Sequence, residues 1–371
     1  MSWKTVALGE VCKVIAGQSP EGKYYNNDGN GLPFYQGKKD FGSVYIKPPS
    51  VWTTDVTKEA TKDDILMSVR APVGPVNIST EDICIGRGLA AIRATDKIDK
   101  SYLFNFLMSI EKDLVGSSGA VFNSINKGQI ESLQVPLPSL QLQQKIVAKL
   151  DAIFFEVDKA TAAAKANAKN TEALFQSYLK QVFENDGNGW NVTFLSQISE
   201  NLDSKRIPIT KGIREEGEIP YYGASGIVDY VKDFIFDGDI LLVSEDGANL
   251  LARTYPIAFS VSGKCWVNNH AHVVKFPNLI SQKFVEFYLN SISLKPFVSG
   301  MAQPKLNQAM LNKIPIPFPS LEEQAKFVIL FESINESSDM SYKAYIRKIE
   351  ELSKFKNSIL KQAFNGELVK E

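Results

Sequence analysis

The sequence has few of the residues that stabilise disulfide-linked or metal-bound folds. Cysteine occurs three times among 371 residues, and Cys12, Cys84 and Cys265 are scattered without a Cys-x-x-Cys pair. This set argues against a disulfide framework and a zinc site, and it is typical of a reducing cytosol. Histidine occurs only as His270 and His272, and no carboxylate or cysteine spacing beside them completes a metal site. We therefore expect no bound metal.

Long apolar runs and an excess of one charge are also missing. No run approaches the roughly 18 apolar residues of a membrane span, and no signal-peptide pattern opens the chain. We therefore expect a cytoplasmic protein without a membrane partner. The 41 basic and 42 acidic residues give a net charge of -1. This balance excludes a generally basic surface but allows a local basic patch.

Signatures of catalytic and nucleotide-binding sites are absent as well. The chain has no Walker A loop and no Gly-x-Gly-x-x-Gly after a strand. Its Pro48–Pro49 pair lacks the flanking residues that adenine methyltransferases use. Gly116–Gly119 reads GSSG and could cradle a phosphate, but a flexible turn before the following helix is the favoured interpretation. No nucleophile–base pair stands out, so we expect no catalytic residue.

What the sequence does contain is an internal repeat. The stretch VPLPSLQLQQKIVAKL at 135–150 returns as IPFPSLEEQAKFVILF at 316–331. The same offset relates SYLKQVF at 177–183 to SILKQAF at 358–364, with no gap between the two matches. Loops vary in length, so an ungapped match this long indicates one rigid element in each half.

Upstream of that rigid element the offset changes. LPFYQG at 32–37 aligns with IPYYGA at 219–224, and DDILMSV at 63–69 aligns with GDILLVS at 238–244 at a different spacing. Each half therefore has a variable front segment and a constant back segment. Short β-rich pieces and turn clusters in the front segments predict mixed α+β structure.

Each back segment predicts a long helix. Ser139 and Ser320 suit the N-cap and follow a proline, and Glu323 completes a capping box that Leu142 leaves incomplete in the first copy. Apolar residues then recur at helical spacing without an intervening proline, and Asp186–Gly187 and Asn365–Gly366 supply stops. We expect the two helices to pair along a seam, although two surface helices packed on their own domains are an alternative. The seam candidates are Ile146, Leu150, Ile153, Phe327, Phe331 and Ile334.

These patterns predict an α+β protein with a pseudo-two-fold internal repeat. It has two mixed α/β domains separated by a pair of long antiparallel, coiled-coil-like helices. The predicted segments are a front domain at 1–138, a first long helix at 139–186, a second front domain at 187–319 and a second long helix at 320–371.

The doubled motif resembles the specificity subunit of type I restriction–modification systems. The residues that carry the resemblance are PLPSLQLQQKIV and PFPSLEEQAKFV, the tails SYLKQVF and SILKQAF, and the opening LGEVCKVIAGQSP. GLPFYQGKKDFG, DILMSVRAPVG and CIGRGLAAI add to it in the first front segment, and IPYYGASGIVDYV, EDGANLL and GKCWVNNHAHV in the second. The resemblance covers essentially the whole chain. One departure is Gln141–Leu142, where the family more often has an acidic residue.

The resemblance implies that each front segment is a target-recognition domain that reads one half of a split double-stranded DNA sequence. The helices would set the spacing and dock two methyltransferase subunits in equivalent ways, which explains a repeated docking element. S-adenosylmethionine and ATP would belong to partner subunits, including restriction subunits where present, and this chain would have no cofactor and no catalytic activity. A catalytic DNA methyltransferase or a fragment of a fused restriction enzyme is an alternative that the missing motifs disfavour. A two-fold scaffold that binds no DNA is another.

DNA contacts would have to come from local groups, because neither front segment is basic overall. Arg, Asn, Gln and Ser side chains in loops are suited to reach base edges in the major groove. Pairs of adjacent basic residues are suited to contact phosphates. Such pairs are, however, also common on solvent-exposed faces that bind nothing. The candidates in the first front segment are Gln36, Lys38, Lys39, Arg70 and Arg87. Those in the second are Lys205, Arg206, Ser225, Glu245, Asp246, Asn268, Asn269 and His270. The two sets differ strongly, which predicts two different half-sites.

Overall fold

The computed structural model describes residues 3–114, 124–185, 189–300 and 303–369. The GSSG sequence at Gly116–Gly119 and the predicted helix stop at Asp186–Gly187 lie outside the described residues. The chain forms two compact units, one made of Met1–Ala164 with Arg347–Glu371 and the other of Lys165–Ile346. Among the described residues, no helix combines the length and apolarity that a membrane crossing requires.

The first unit is a mixed α/β fold built on short strands. Its strands are β1 (Thr5–Ala7), β2 (Cys12–Ala16), β3 (Tyr25–Asn26), β4 (Leu32–Tyr35), β5 (Trp52–Thr53), β6 (Glu59–Ala60), β7 (Ile65–Ser68), β8 (Val76–Ile78), β9 (Ile83–Ile85), β10 (Leu89–Ala94) and β11 (Gln134–Pro136). Its short helices are α1 (Lys100–Ser109), α2 (Glu111–Leu114) and α3 (Lys127–Glu131). The strands form a four-stranded sheet ordered β2-β10-β7-β8, a five-stranded sheet ordered β3-β5-β4-β9-β6, and the pair β1-β11.

Strand β7 shows why this sequence forms a layered unit. Its apolar residues do not alternate with polar ones, as expected of a strand covered on both faces. Ile65 and Met67 pack into the core shared with α1 and the long helices, whereas Leu66 packs into a second core with Tyr35 and Ile83. The central strand therefore joins two hydrophobic layers.

The first long helix, α4, runs over Leu140–Asn185, which confirms the predicted helix. The remaining strands are β12 (Asn191–Phe194), β13 (Glu200–Asn201), β14 (Ile219–Gly223), β15 (Gly226–Val231), β16 (Ile240–Ser244), β17 (Ala258–Val261), β18 (Trp266–Val267), β19 (Ala271–Lys275) and β20 (Pro315–Phe318). They are accompanied by α5 (Leu195–Ile198), α6 (Asn249–Ala252), α7 (Leu279–Ser291) and α8 (Gln308–Leu311). The second long helix, α9, runs over Leu321–Phe364.

The two units repeat one topology. The sheet β13-β19-β16-β17 of the second unit has the strand order of β2-β10-β7-β8, and the pair β12-β20 matches β1-β11. A parallel pairing also recurs, with Phe34 opposite Cys84 in the first unit and Tyr221 opposite Trp266 in the second. The predicted internal repeat and the α+β fold class are therefore confirmed.

The long helices run antiparallel where they meet in the first unit. Lys149 Nζ donates to Leu368 O at 2.8 Å, and Lys356 Nζ lies 2.8 Å from Asp158 Oδ1. A residue later in α4 thus contacts a residue earlier in the C-terminal segment, as an antiparallel pair requires. In the second unit Tyr178 of α4 packs on Phe331 of α9, with ring centroids 6.3 Å apart.

A repeated glutamine ties each long helix to its unit. Gln143 Nε2 donates to Pro138 O at 2.9 Å, and its Oε1 accepts from Asp99 N, beside α1, at 2.8 Å. Gln324, its repeat equivalent, donates to Pro319 O at 2.7 Å and accepts from Ser281 Oγ, in the first turn of α7, at 2.8 Å. Both glutamines are buried, so the repeated Pro-x-Pro-Ser-Leu-x-x-Gln motif fixes the helix start.

The predicted capping box is present in the second copy. Glu323 N donates to Ser320 Oγ at 3.3 Å, and Ser320 N donates to Glu323 Oε2 at 3.2 Å. In the first copy Leu142 N donates to Ser139 Oγ at 3.4 Å without the reciprocal bond, because leucine has no acceptor.

Candidate nucleic-acid interface

Three connections of the first unit surround a cleft of about 670 Å³. They are the turn after β4, the connection from β7 to β8 and the turn from β9 to β10. The cleft is lined by Gln36, Lys38, Lys39, Arg70 and Arg87, together with backbone of the same connections. All five residues selected from the first front segment therefore lie around one concave surface, although they are distant in sequence.

Close backbone packing holds this cleft in shape. A Cβ atom added to Gly88 would lie 2.3 Å from Gln36 O, so only glycine lets the β9–β10 turn approach the turn after β4 this closely. Ser68 Oγ donates to Arg70 O at 3.1 Å, which fixes the start of the connection from β7 to β8. The candidate side chains thus project from backbone that is tied down on each side.

The cleft has an excess of positive charge. Lys38, Lys39, Arg70 and Arg87 are all exposed, and in the described part of the chain none of them forms an ion pair with a carboxylate. Unpaired cations around a concave surface attract anions, and planar guanidinium groups suit both phosphates and guanine edges.

The corresponding surface of the second unit is chemically different. Ser225, Asn269 and His270 are exposed, and His270 Nδ1 lies 2.9 Å from the carboxylate of the half-buried Asp246. Asn268 is buried, and its Oδ1 accepts from His270 N at 2.8 Å. This surface offers hydroxyl, amide and imidazole groups instead of a cluster of unpaired cations.

Three candidates of the second unit have intramolecular roles. Arg206 Nη1 lies 2.7 Å from Glu245 Oε2 and donates to Ala271 O at 2.7 Å, so its guanidinium is used inside the unit. Glu245 and Asn268 are each less than 10% exposed. We therefore remove Arg206, Glu245 and Asn268 from the set of contact candidates, because their polar groups bind neighbouring parts of the chain. Lys205, the other member of the basic pair, is exposed.

A buried ionic cluster that the sequence does not indicate lies beside these residues. His272 Nδ1 lies 2.6 Å from Asp203 Oδ2, and Nε2 lies 2.7 Å from Leu306 O. Asp203, Glu245 and His272 are ligand types that a metal site uses, and their ligand atoms lie within 4.8 Å of one another. Both imidazole nitrogens are already occupied, however, and Arg206 binds the carboxylates. The cluster is therefore an ion-pair network that joins β16, β19 and the segment at Leu306.

The pKa values of the two carboxyls follow from this arrangement. Burial alone would raise the pKa of Asp203, but the hydrogen bond and charge of His272, with the Val273 amide, lower it below its usual value. Burial also opposes ionisation of Glu245, and the Arg206 hydrogen bond and the His272 charge lower that pKa too. Both groups therefore stabilise the folded unit as carboxylates.

The predicted seam residues lie in the hydrophobic cores. Ile146 and Leu150 are fully buried in the core of the first unit, and Phe331 is fully buried in that of the second. Ile153, Phe327 and Ile334 are partly buried against the same cores. Since the buried side chains are covered by their own unit, they cannot contact a partner directly, and we correct that part of the prediction. A docking surface must use exposed helix residues.

Comparison with known proteins identifies the family. A model of the type I restriction modification DNA specificity domain matches residues 1–167 and 187–351, one match in each half of the repeat. The chain belongs to this family. The two matches together cover most of the sequence, so the specificity domain occurs twice.

Relatives of this specificity family match parts of the chain or all of it. A protein named as the type I restriction enzyme MjaX specificity subunit of Methanocaldococcus jannaschii is 44% identical over 155 residues, which is 41% of this chain and 36% of that one. The match thus spans little more than a third of that relative. The EcoDI specificity subunit of Escherichia coli is 22% identical over 99% of this chain and 89% of its own length.

Solved structures share the fold. A chain from a type I R-M system complex has a TM-score of 0.78 at 19% identity and covers 99% of this chain and 98% of its own. The HsdS subunit of Thermoanaerobacter tengcongensis has a TM-score of 0.60 at 20% identity and covers 99% and 97%. At identities of 19% and 20% the comparison shows only that these chains share a fold.

Proposed function

We propose that this chain is the non-catalytic DNA sequence-specificity subunit of a type I restriction–modification complex. Each unit reads one half of a split double-stranded target, and the long helices set the gap between the halves. The observation that carries the proposal is that one recognition topology occurs twice with different exposed side chains. Two like surfaces with unlike chemistry are what a target with two different halves requires.

The charge of the first cleft supports DNA as the ligand. Lysine and arginine side chains that neutralise phosphates make binding strongly salt-dependent, whereas contacts to base edges provide specificity. Lys38 and Lys39 supply flexible cations for the DNA backbone, and Arg70 and Arg87 supply planar donors. Because the overall charge is -1, we expect partner subunits to contribute additional attraction to DNA.

We further propose that two methyltransferase subunits dock on repeated, exposed apolar residues of the long helices. Leu140 and its repeat equivalent Leu321 are 44% and 49% exposed, and the equivalent pair Leu174 and Phe355 are 73% and 47% exposed. A repeated apolar surface suits two copies of one partner, because equivalent sites bind equivalent surfaces. S-adenosylmethionine would bind to those partners, and restriction subunits that use ATP join where the system encodes them.

The DNA-binding proposal is tested by selection from randomised duplexes. The full chain, purified with the subunits that accompany it, is mixed with the duplex library, and the bound DNA is sequenced. We expect two short motifs separated by a gap of constant length and variable sequence. Enrichment of one uninterrupted motif, or of no motif, would contradict the proposal.

The docking proposal is tested by co-purification. Changing Leu174 and its repeat equivalent Phe355 together to Asp places one charge in each half of the repeat. This double change should abolish assembly with the methyltransferase. Phe155→Asp is the matched control, because Phe155 is 68% exposed and its repeat equivalent is the polar Glu336. Equal loss of assembly in the control and the double variant would refute the assignment of these sites.

A further inference from the structure

Arg87 occupies the centre of a backbone bridge in the first unit. Gly86 N donates to Tyr35 O at 2.8 Å, and Val69 N donates to Gly88 O at 3.0 Å. The three-residue turn is therefore bonded to the end of β4 on one side and to the end of β7 on the other. Its middle residue, Arg87, is exposed into the cleft.

Asn269 occupies the centre of the same bridge in the second unit. Asn268 N donates to Tyr222 O at 3.0 Å, and Glu245 N donates to His270 O at 2.9 Å. The flanking strands are β14 and β16, which are the repeat equivalents of β4 and β7. Asn269 is therefore the structural counterpart of Arg87, and it is exposed as well.

Both positions are suited to hold a side chain for readout. Arg87 N also donates to Ser19 Oγ at 3.2 Å, so the backbone at this turn is bonded before, at and after the arginine. Within the described residues, neither the guanidinium of Arg87 nor the carboxamide of Asn269 has a hydrogen-bond partner. A fixed backbone with free polar groups presents donors and acceptors to a ligand in a defined direction.

The two side chains match different bases. Arginine pairs in a bidentate manner with O6 and N7 of guanine, whereas asparagine pairs with N6 and N7 of adenine. We propose that this bridge position reads one base in each half-site, a guanine through Arg87 and an adenine through Asn269. The inference rests on the proposed DNA-specificity function and assigns a specificity-determining residue to each half.

Exchange of the two side chains tests this assignment. Bound sequences are selected from randomised duplexes with the full chain, in its complex, carrying Arg87→Asn or Asn269→Arg. We expect Arg87→Asn to change one position of one half-site from guanine to adenine. Asn269→Arg should change one position of the other half-site from adenine to guanine. Discrimination between the two bases should change by about tenfold to a hundredfold in each case, the range of one good bidentate contact.

Two further variants separate base readout from phosphate binding and from misfolding. Arg87→Lys retains the charge but loses the planar fork, so it should relax the guanine preference while affinity for the remaining sequence is kept. Lys38→Ala, on the same cleft, should weaken binding to all sequences equally and leave the motif unchanged. Because Arg87, Asn269 and Lys38 are exposed, melting curves of all variants should match that of the unsubstituted chain.

The outcomes distinguish this inference from the function on which it rests. If the unsubstituted chain selects a split motif and Arg87→Asn only weakens binding uniformly, position 87 contacts phosphate and the inference is wrong. The same follows if the exchanges leave both half-sites unaltered or change both halves at once. If the unsubstituted chain selects no split motif, the proposed DNA-specificity function itself fails.

Discussion

Replacing Gln143 by leucine tests how the repeated motif holds the long helix. The side chain is fully buried and makes two hydrogen bonds, to Pro138 O at 2.9 Å and from Asp99 N at 2.8 Å. Leucine has a similar size but neither donor nor acceptor. The change therefore removes both bonds with little change in volume and leaves two backbone groups without partners.

The expected loss of stability follows from those two groups. Each buried polar group that loses its partner costs about 1–3 kcal/mol, so the change should cost about 2–6 kcal/mol. For a unit of this size each kcal/mol lowers the melting temperature by about 2–4 °C. The first unit should therefore melt at least about 4 °C lower.

The neighbouring residue provides a matched control. Gln144 is exposed on the same turn of α4, so Gln144→Leu should leave the melting temperature nearly unchanged. Melts followed by circular dichroism compare the two variants, and Gln324→Leu repeats the test in the second unit. Equal melting temperatures for Gln143→Leu and Gln144→Leu would show that the buried glutamine does not hold the helix start.

Three further predictions concern the core of the second unit, the pH dependence of its stability, and the long helices. Phe331→Ala should lower the free energy of unfolding of the second unit by about 3–5 kcal/mol, measured by urea unfolding. The control Ile329→Ala, at a side chain 69% exposed, should change that free energy by no more than about 0.5 kcal/mol. Similar losses in the two variants would contradict the assigned core. The lowered pKa of Asp203 means that its stabilisation is complete above its ordinary value of 3.8 and is lost as pH falls through the lower folded value. The destabilisation by Asp203→Asn should therefore be large at pH 7 and shrink below about pH 4, and a pH-independent difference would refute this linkage. Inserting four residues after Thr161 and four after Tyr342 lengthens each long helix by about 6 Å. Because each base pair of DNA spans about 3.4 Å, the gap in the selected DNA motif should grow by one or two base pairs. An unchanged gap in a folded, active variant would show that the helices do not set the spacing.

The long helices could be predicted from the sequence because their signals are local. Ser320 and Glu323 identify one helix start, and the predicted span of 139–186 compares with an observed helix over Leu140–Asn185. The role of Gln143 could not be predicted, because its partner Asp99 is distant in sequence and nothing local marks the contact.

The candidate DNA-binding surface could be predicted only in part from the sequence. The sequence indicates Arg70 and Arg87 only as polar residues in loops, and the structure brings them to one cleft. The sequence does not distinguish Arg206 from Lys205, because adjacent basic residues carry no signal of burial. Its partner Glu245 lies 39 residues away, so only tertiary structure reveals that the pair is internal.

Methylation sequencing of cells with and without this gene tests the central claim most directly. If the chain directs a methyltransferase to a split target, modified adenines will occur at one motif of two half-sites with a fixed gap. Those modifications will vanish when the gene is deleted and return when it is restored. An unchanged methylation pattern after deletion, in cells that express the protein and its partner, would contradict the assignment of this chain as the specificity subunit.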